Sequence, residues 1–443
     1  MSKQPLTVSL VSLGCPKNLV DSEKMLAHLA ENGCVVGTPM EEADVIVVNT
    51  CGFLKAARDE SLEAVAEAVA CKYDGRTRRV VLAGCLVQRD AEELFETVPG
   101  IDAIVGVNDR DRLIEAVAGR RKAIVSPCEG EIHDDTGRFR LTPRHTAYLR
   151  ISEGCDHRCT YCTIPDIRGP FRSKAPEAVL AEARELVADG AVELNVIGQD
   201  TTNYGADMGE DRGLPMLLRE LNTLEGLRWI RLLYTHPRGF SDELIAAMTE
   251  CEHVVPYVDL PLQHVSDEVL RRMGRGTKRR DIEALLGRLR DVGMAVRTTF
   301  IVGFPGETEA RFDELLRFVE GFRFDALGVF KYSPETDTPA AEMSDQVPDE
   351  VKSRRAEEVM LAQQKIAFEA NRKLVGSSVT VLVDGREATD RCVGRHCGQA
   401  PDIDGVCYLT RAREAGRFVT AAVVDWDEYD LVVEPPEDTS DDS

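Results

Sequence analysis

GCDHRCTYCTIP, residues 154–165, places three cysteines within eight positions: Cys155, Cys159 and Cys162. A structural zinc site takes four protein ligands, usually as two separated pairs. A tight triplet suits three irons of a four-iron four-sulfur cluster, which thiolates hold, and leaves the fourth iron open. His157 stands between the first two cysteines, where it has little freedom to reach that open corner. The competing reading is a zinc knuckle completed by a ligand from elsewhere in the chain.

What precedes the triplet decides its setting. AYLRIS (147–152) is an apolar run that reads as a strand and leads directly into it. Further strand candidates follow at 192–198, 229–235, 257–262, 295–303 and 326–333, with helical patterns between them. One such helix is PEAVLAEARELVADG (176–190), which stops on the C-cap signal Gly190. Six βα units predict a TIM-like barrel that stops short of eight. In such barrels the chemistry sits at the C-terminal ends of the strands, where the triplet falls.

Upstream, TVSLVSL (7–13), DVIVVN (44–49) and RVVLAG (79–84) alternate with helical patterns at 18–32 and 54–72. This predicts an α/β domain with a parallel sheet covered on both faces. Cys15, Cys51 and Cys85 each stand at the end of one of these strands. Strand ends of a parallel sheet share one edge, where open α/β folds gather ligands. Gly14, Gly52 and Gly84 beside them allow tight turns and close backbone approach. A free cysteine is often just a small buried hydrophobe. Three in the same structural slot favour a second cluster, again with one open iron.

Downstream, 349–371 reads as a charged helix without Pro or Gly. Beyond it SVTVLVDG, GVCYLTR and RFVTAAVVDWDEYDLVVE predict a small antiparallel β-barrel. The expected fold class is α/β, with domains at 6–120, 141–371 and 372–440. The polar stretch 126–146 is expected to be a linker, and the tail PPEDTSDDS is expected to be disordered.

The chain has 443 residues, long enough for about three domains. It has no basic start followed by an apolar core, so no signal peptide is expected. No apolar run is long enough for a membrane span, so a cytoplasmic protein is expected. In that setting thirteen cysteines point to metal or chemistry rather than disulfides. The net charge of −23 weakens any reading based on broad RNA affinity and suits basic partners.

The triplet, with Tyr161 before its last cysteine, resembles the radical S-adenosylmethionine superfamily. With the N-terminal α/β domain and the terminal module, called TRAM, the resemblance narrows to the methylthiotransferases. SLGCPKNLVDSE (12–23) looks like the RimO branch; the tRNA-modifying MiaB branch usually reads closer to GCQMN there. ISEGCDHRCTYCTIPDIRGPFRS (151–173), IGQDTTNYG (197–205), YVDLPLQHVSDEVLRRMGRG (257–276) and TTFIVGFPGET (298–308) also look like RimO. The resemblance implies methylthiolation of the β-carbon of an aspartate in the ribosomal protein numbered twelve of the small subunit. It implies two four-iron four-sulfur clusters, held by Cys15, Cys51 and Cys85 (auxiliary) and by Cys155, Cys159 and Cys162 (radical-generating). It implies S-adenosylmethionine as both methyl donor and radical source, an external reductant and a sulfur donor.

The terminal stretch agrees in one respect. Residues 371–443 carry eight Lys/Arg against fifteen Asp/Glu, a net of −7. A tRNA-gripping barrel would present a basic face, so this argues against tRNA and suits a basic ribosomal protein. The alternatives are a MiaB-like tRNA methylthiotransferase and a non-catalytic iron–sulfur carrier, which the barrel and the triplet argue against.

Gln199, Gly303 and Glu307, at strand ends of the barrel, are the candidates for holding S-adenosylmethionine, with His236 and His264 near them. Each has a structural hydrogen-bonding alternative. No Gly-Gly-Glu stretch follows the second barrel strand; IGQDTTNYG occupies that place. RRMGRGTKRR (271–280) reads as a solvated helix end, or as a contact with RNA or with acidic groups of the chain. RGPFRSK (168–174) lies beside the cluster loop and is expected to shape the site. Cys392, Cys397 and Cys407 match no known metal motif. Cys34, Cys71, Cys128 and Cys251 read as unpaired thiols.

Overall fold

The computed structural model describes residues 4–75, 77–209, 213–387 and 391–437. The tail expected to be disordered lies, from residue 438 on, outside the described residues.

The N-terminal sheet has six strands: β1 Thr7–Ser12, β2 Val35–Val36, β3 Val45–Thr50, β4 Arg79–Gly84, β5 Ala103–Val105 and β6 Ala123–Ile124. All are parallel, in the order β2-β1-β3-β4-β5-β6. Strand side chains alternate between faces, and here both faces are buried. Val45, Val47, Val81 and Ala83 pack against Met25 and Leu29 of the helix Pro16–Glu31. Ile46, Val48, Val80 and Leu82 pack on the other face against Val65 and Ala68 of the helix Lys55–Asp74. Two opposed cores explain why these strands read as unbroken apolar runs. β2, β5 and β6 have two or three residues each, too few for a sequence pattern.

The second sheet is β7 Thr146–Arg150, β10 Glu193–Ile197, β11 Trp229–Leu232, β12 Val254–Asp259, β13 Ala295–Val302 and β14 Ala326–Lys331. It is parallel throughout and runs in the order β14-β13-β12-β11-β10-β7. This is the expected six-unit partial barrel. Between β7 and β10 a short hairpin, β8 Ser152–Glu153 with β9 Arg172–Ser173, brackets the cysteine triplet. The helix Pro176–Ala188 ends before Gly190, whose φ of +105° supplies the left-handed stop.

The helix Asp349–Leu374 carries the chain to the last module. Val359 and Ile366 pack into the barrel core, and Phe368 meets Trp426 at 5.1 Å between ring centres. That module is a closed barrel of β15 Ser378–Arg386, β16 Cys392–His396, β17 Cys407–Leu409, β18 Phe418–Asp427 and β19 Asp430–Glu434. It is not antiparallel throughout, because β17 and β19 pair in parallel. Cys392 and Cys407 are part of its apolar core, as small hydrophobes.

The stretch 126–146 has no strand or helix before Thr146, as expected of a linker, yet it is tightly packed. Asp135 is fully buried and pairs with Arg110, Arg150 and Lys174, each at 2.7 Å. Arg138 reaches Glu23 at 3.2 Å and Glu182 at 3.0 Å. Buried charges persist only when paired in this way. The segment therefore clamps the N-terminal domain to the partial barrel. The terminal barrel docks by similar means: Arg395 pairs with Glu193 at 2.8 Å, and Tyr257 donates to Asp404 at 2.7 Å.

Candidate functional site

The triplet loop is pinned from several sides. The Cys155 N–H donates to the Gly169 carbonyl at 3.1 Å, and the Thr160 N–H to that of Met273 at 2.9 Å. The Ala340 N–H returns to the Thr160 carbonyl at 2.9 Å. Burial pushes the Cys155 thiol up to about 11 and the Cys162 thiol up to about 12. In both, ionised neighbours of the triplet add to the rise, so the three sulfurs lie close enough to oppose one another's ionisation. Arg275, buried, lies 3.9 Å from the Cys159 sulfur. His157 points away: its Nε2 pairs with Asp200 at 2.7 Å and its ring stacks on His236 at 4.0 Å. One ring nitrogen each of His157 and His236 and one carboxylate oxygen of Asp200 lie within 4.8 Å of one another. His236 Nδ1 accepts from the Arg238 N–H at 3.3 Å, while its Nε2 is buried without a hydrogen-bond partner among the described residues.

Cys15, Cys51 and Cys85 follow β1, β3 and β4, which are neighbours in the sheet. β2 lies on the far side of β1, so Cys15 and Cys51 flank the point where strand order reverses, the usual ligand crevice of such sheets. The three turns are stacked. A Cβ on Gly14 would lie 3.2 Å from the Cys51 sulfur, and one on Gly52 would lie 2.6 Å from the Cys85 carbonyl. Burial raises Cys51, and it pushes Cys85 up to about 12; Cys15 adds to both. Arg168 opposes the rise at Cys85, donating to its sulfur at 3.1 Å. None of the thirteen cysteines is in a disulfide.

Within each trio the thiols stand near enough to influence one another's ionisation. Their chemistry fits iron–sulfur clusters, which thiolates hold. A cavity of about 750 Å³ is walled by Cys15 of the N-terminal trio and by Tyr161 of the triplet loop. Gly14 and Cys15 wall it from the N-terminal domain, Tyr161 from the triplet loop, Tyr234 and Arg297 from the partial barrel, and Asp402 from the terminal module. Three of its wall residues, Tyr234 (φ +58°), Gln263 (φ +70°) and Asp402 (φ +66°), hold a left-handed backbone. Strain of that kind in non-glycine residues concentrates at functional sites.

Gln199, Gly303 and Glu307 are not among the wall residues. Gln199 donates to Glu153 at 2.6 Å. Glu307 is buried between Arg355 at 2.9 Å and His264 at 3.2 Å, and it accepts the Gly303 N–H. Gly303 is glycine for a packing reason, since a Cβ there would lie 2.2 Å from Lys352. The basic run 271–280 is answered within the chain: Arg271 by Glu268 at 2.7 Å, Arg272 by Asp345, and Arg279 by Glu283 at 2.8 Å. RGPFRSK does shape the site, through Arg168 and through Lys174, which pairs with Asp135. Tyr234 and Arg297, which wall the cavity, lie within strand candidates and carry no further signal in the sequence.

Three family models match in succession: "Uncharacterized protein family UPF0004" over residues 7–106, "Radical SAM superfamily" over 149–319 and "TRAM domain" over 375–435. The chain is 46% identical over 437 residues to the ribosomal protein uS12 methylthiotransferase RimO of Geotalea uraniireducens, covering 96% of this chain and 98% of that one. It is 45% identical over 444 residues to the RimO of Geobacter sulfurreducens, covering 98% and 99%. Among solved structures, the radical S-adenosylmethionine methyltransferase TsrM of Kitasatospora setae shares the fold, with a TM-score of 0.55 at 17% identity over 76% of this chain and 77% of that one. The chain belongs to the radical SAM superfamily and, within it, to the RimO family of ribosomal protein uS12 methylthiotransferases.

Proposed function

We propose that this protein methylthiolates the β-carbon of an aspartate in ribosomal protein uS12, using two four-iron four-sulfur clusters and S-adenosylmethionine. The observation that carries the reading is the shared cavity. Cys15 of one thiol trio and Tyr161 of the other triplet's loop wall the same space. Cys155, Cys159 and Cys162 would hold the radical-generating cluster, and Cys15, Cys51 and Cys85 the auxiliary one. When bound, these groups supply reductive cleavage of S-adenosylmethionine and a methylated sulfur for transfer.

The chain's own task is positioning and exclusion of water. The pinned triplet loop fixes three sulfurs in the partial barrel. The stacked turns at Gly14, Gly52 and Gly84 fix three more on the facing sheet edge. Arg168 ties the two, since it belongs to the short helix Ile164–Arg168 after the triplet and donates to Cys85. The clamp around Asp135 holds the domains at that spacing. The acidic terminal module, with Asp402 on the cavity wall, supports a basic protein rather than tRNA as partner. Anaerobic incubation with S-adenosylmethionine, a sulfide source, dithionite and uS12 tests the reading. The expected result is 5′-deoxyadenosine together with methylthiolated uS12. Absence of both sinks it.

A further inference from the structure

Four charged side chains wall the cavity: Asp259, Arg297, Lys331 and Asp402. Arg297 donates to Asp259 at 2.9 Å, so those two charges answer each other. Lys331, at the end of β14, donates to Ser353 of the helix Asp349–Leu374 at 3.3 Å. Asp402 accepts the Tyr148 hydroxyl at 3.1 Å and, among the described residues, makes no ion pair. A neutral hydroxyl fills one of the several acceptor positions of a carboxylate and leaves its charge unanswered.

Asp402 is held in place without being neutralised. It lies in the loop between β16 and β17 of the terminal barrel. Asp404 pins that loop: its carboxylate accepts the Ala400 N–H at 2.8 Å and the Tyr257 hydroxyl at 2.7 Å, and it lies 3.3 Å from Arg297. The backbone of Asp402 has a φ of +66°, a conformation that Asp and Asn adopt more readily than other side chains. Ile403, the next residue, also walls the cavity and is 48% exposed; Phe330 of β14, a further wall residue, is 56% exposed. Large apolar side chains left in water at the same cavity as an unanswered carboxylate match one kind of group. A Lys or Arg side chain covers apolar surface with its aliphatic stem while its head reaches a carboxylate. A ribosomal protein is rich in such side chains, because contact with RNA phosphates calls for Lys and Arg.

We infer that Asp402 and Ile403 are specificity-determining residues that receive a Lys or Arg flanking the target aspartate of uS12, the cation on the Asp402 carboxylate and the stem against Ile403. This rests on the function proposed above. The terminal module then reads the substrate at the cavity wall, in addition to attracting it by net charge.

The test is a double-mutant cycle on the binding of uS12 to the reconstituted holoenzyme. The enzyme variant is Asp402→Asn, which keeps an acceptor for Tyr148 and suits the left-handed backbone. The uS12 variants carry Met in place of each Lys or Arg that flanks the target aspartate, one at a time. Asp402→Asn should weaken binding by about tenfold, the size of one charge-assisted hydrogen bond. One uS12 variant should weaken binding to the wild-type enzyme by the same factor. The two changes together should cost that factor once rather than its square. Ile403→Ala, which leaves the hydrogen bonds of the loop in place, runs the same cycle independently of the carboxylate and should couple to the same uS12 variant. Unchanged binding with Asp402→Asn, or effects that multiply for every uS12 variant, overturns the inference. A wild-type enzyme that modifies no uS12 overturns the underlying function as well; one that modifies uS12 and binds every uS12 variant equally overturns this inference alone.

Discussion

Arg168 donates to the Cys85 sulfur at 3.1 Å, and the contact crosses from the partial barrel to the N-terminal sheet edge. The same guanidinium donates to Asp21 at 2.9 Å and Glu153 at 3.3 Å. One buried cation thus joins the loop of one thiol trio to a thiol of the other. Burial would raise Asp21, but Arg150, Arg168 and Arg110 overrule it and hold its carboxyl at about 2.

Arg168→Met removes that cation and leaves two buried carboxylates short of a partner. Such losses cost about 3–5 kcal/mol. Chemical denaturation of the apoprotein should show a loss of this order, and Arg168→Lys a smaller one. In the holoprotein the auxiliary cluster should become harder to reduce, because a hydrogen bond to sulfur is gone. An unchanged potential in Arg168→Met would remove Arg168 from any part in tuning it.

Ala at Cys155, Cys159 or Cys162 should abolish 5′-deoxyadenosine formation. Cys51→Ala should leave that reaction intact and stop methylthio transfer. Each class should lower iron from about eight to about four per chain, the content of one four-iron cluster. Iron analysis together with chromatography of the nucleoside separates the classes.

Gly52→Ala tests the stacked turns. Its Cβ would lie 2.6 Å from the Cys85 carbonyl, which backbone cannot yield cheaply. The expected outcome is loss of the auxiliary cluster alone, with iron near about four per chain and 5′-deoxyadenosine still formed. Full iron content would show that the turn relaxes without disturbing the sulfurs.

The contact between partial and terminal barrels carries a pH signature. Burial alone would raise Glu193, but Arg395 and Arg231 together bring it below its ordinary 4.5. A carboxyl with a depressed folded-state pKa contributes stability that is complete above the unfolded value and is lost as pH falls through the folded value. Wild-type stability should therefore fall below pH about 4.5. Glu193→Gln should be less stable at neutral pH by about 3–5 kcal/mol and show a shallower acid slope. Parallel acid slopes would mean that another group governs that range.

Much of this was legible in the sequence because it is periodic or local. The triplet is a contiguous motif, and the six barrel strands are apolar runs long enough to read. Cys15, Cys51 and Cys85 could be brought together from afar because each follows a buried strand of one parallel sheet. The short strands at Val35–Val36 and Ala123–Ile124 carry no such pattern. Asp135 and Arg138 looked like linker because polarity signals exposure; only their partners on other modules make them buried. Glu307 illustrates the converse: a carboxylate at a strand end looked available for ligand, and Arg355, from a helix far along the chain, occupies it.

The central claim is that the two thiol trios, on either side of a cavity walled by Cys15 and Tyr161, carry out sulfur insertion into a protein aspartate. Mass spectrometry of uS12 after anaerobic turnover tests it most directly. The predicted result is a methylthio adduct on a single aspartate, absent with Cys51→Ala and with Cys155→Ala. The contradicting result is abundant 5′-deoxyadenosine with unmodified uS12, while tRNA in the same reaction acquires the methylthio group.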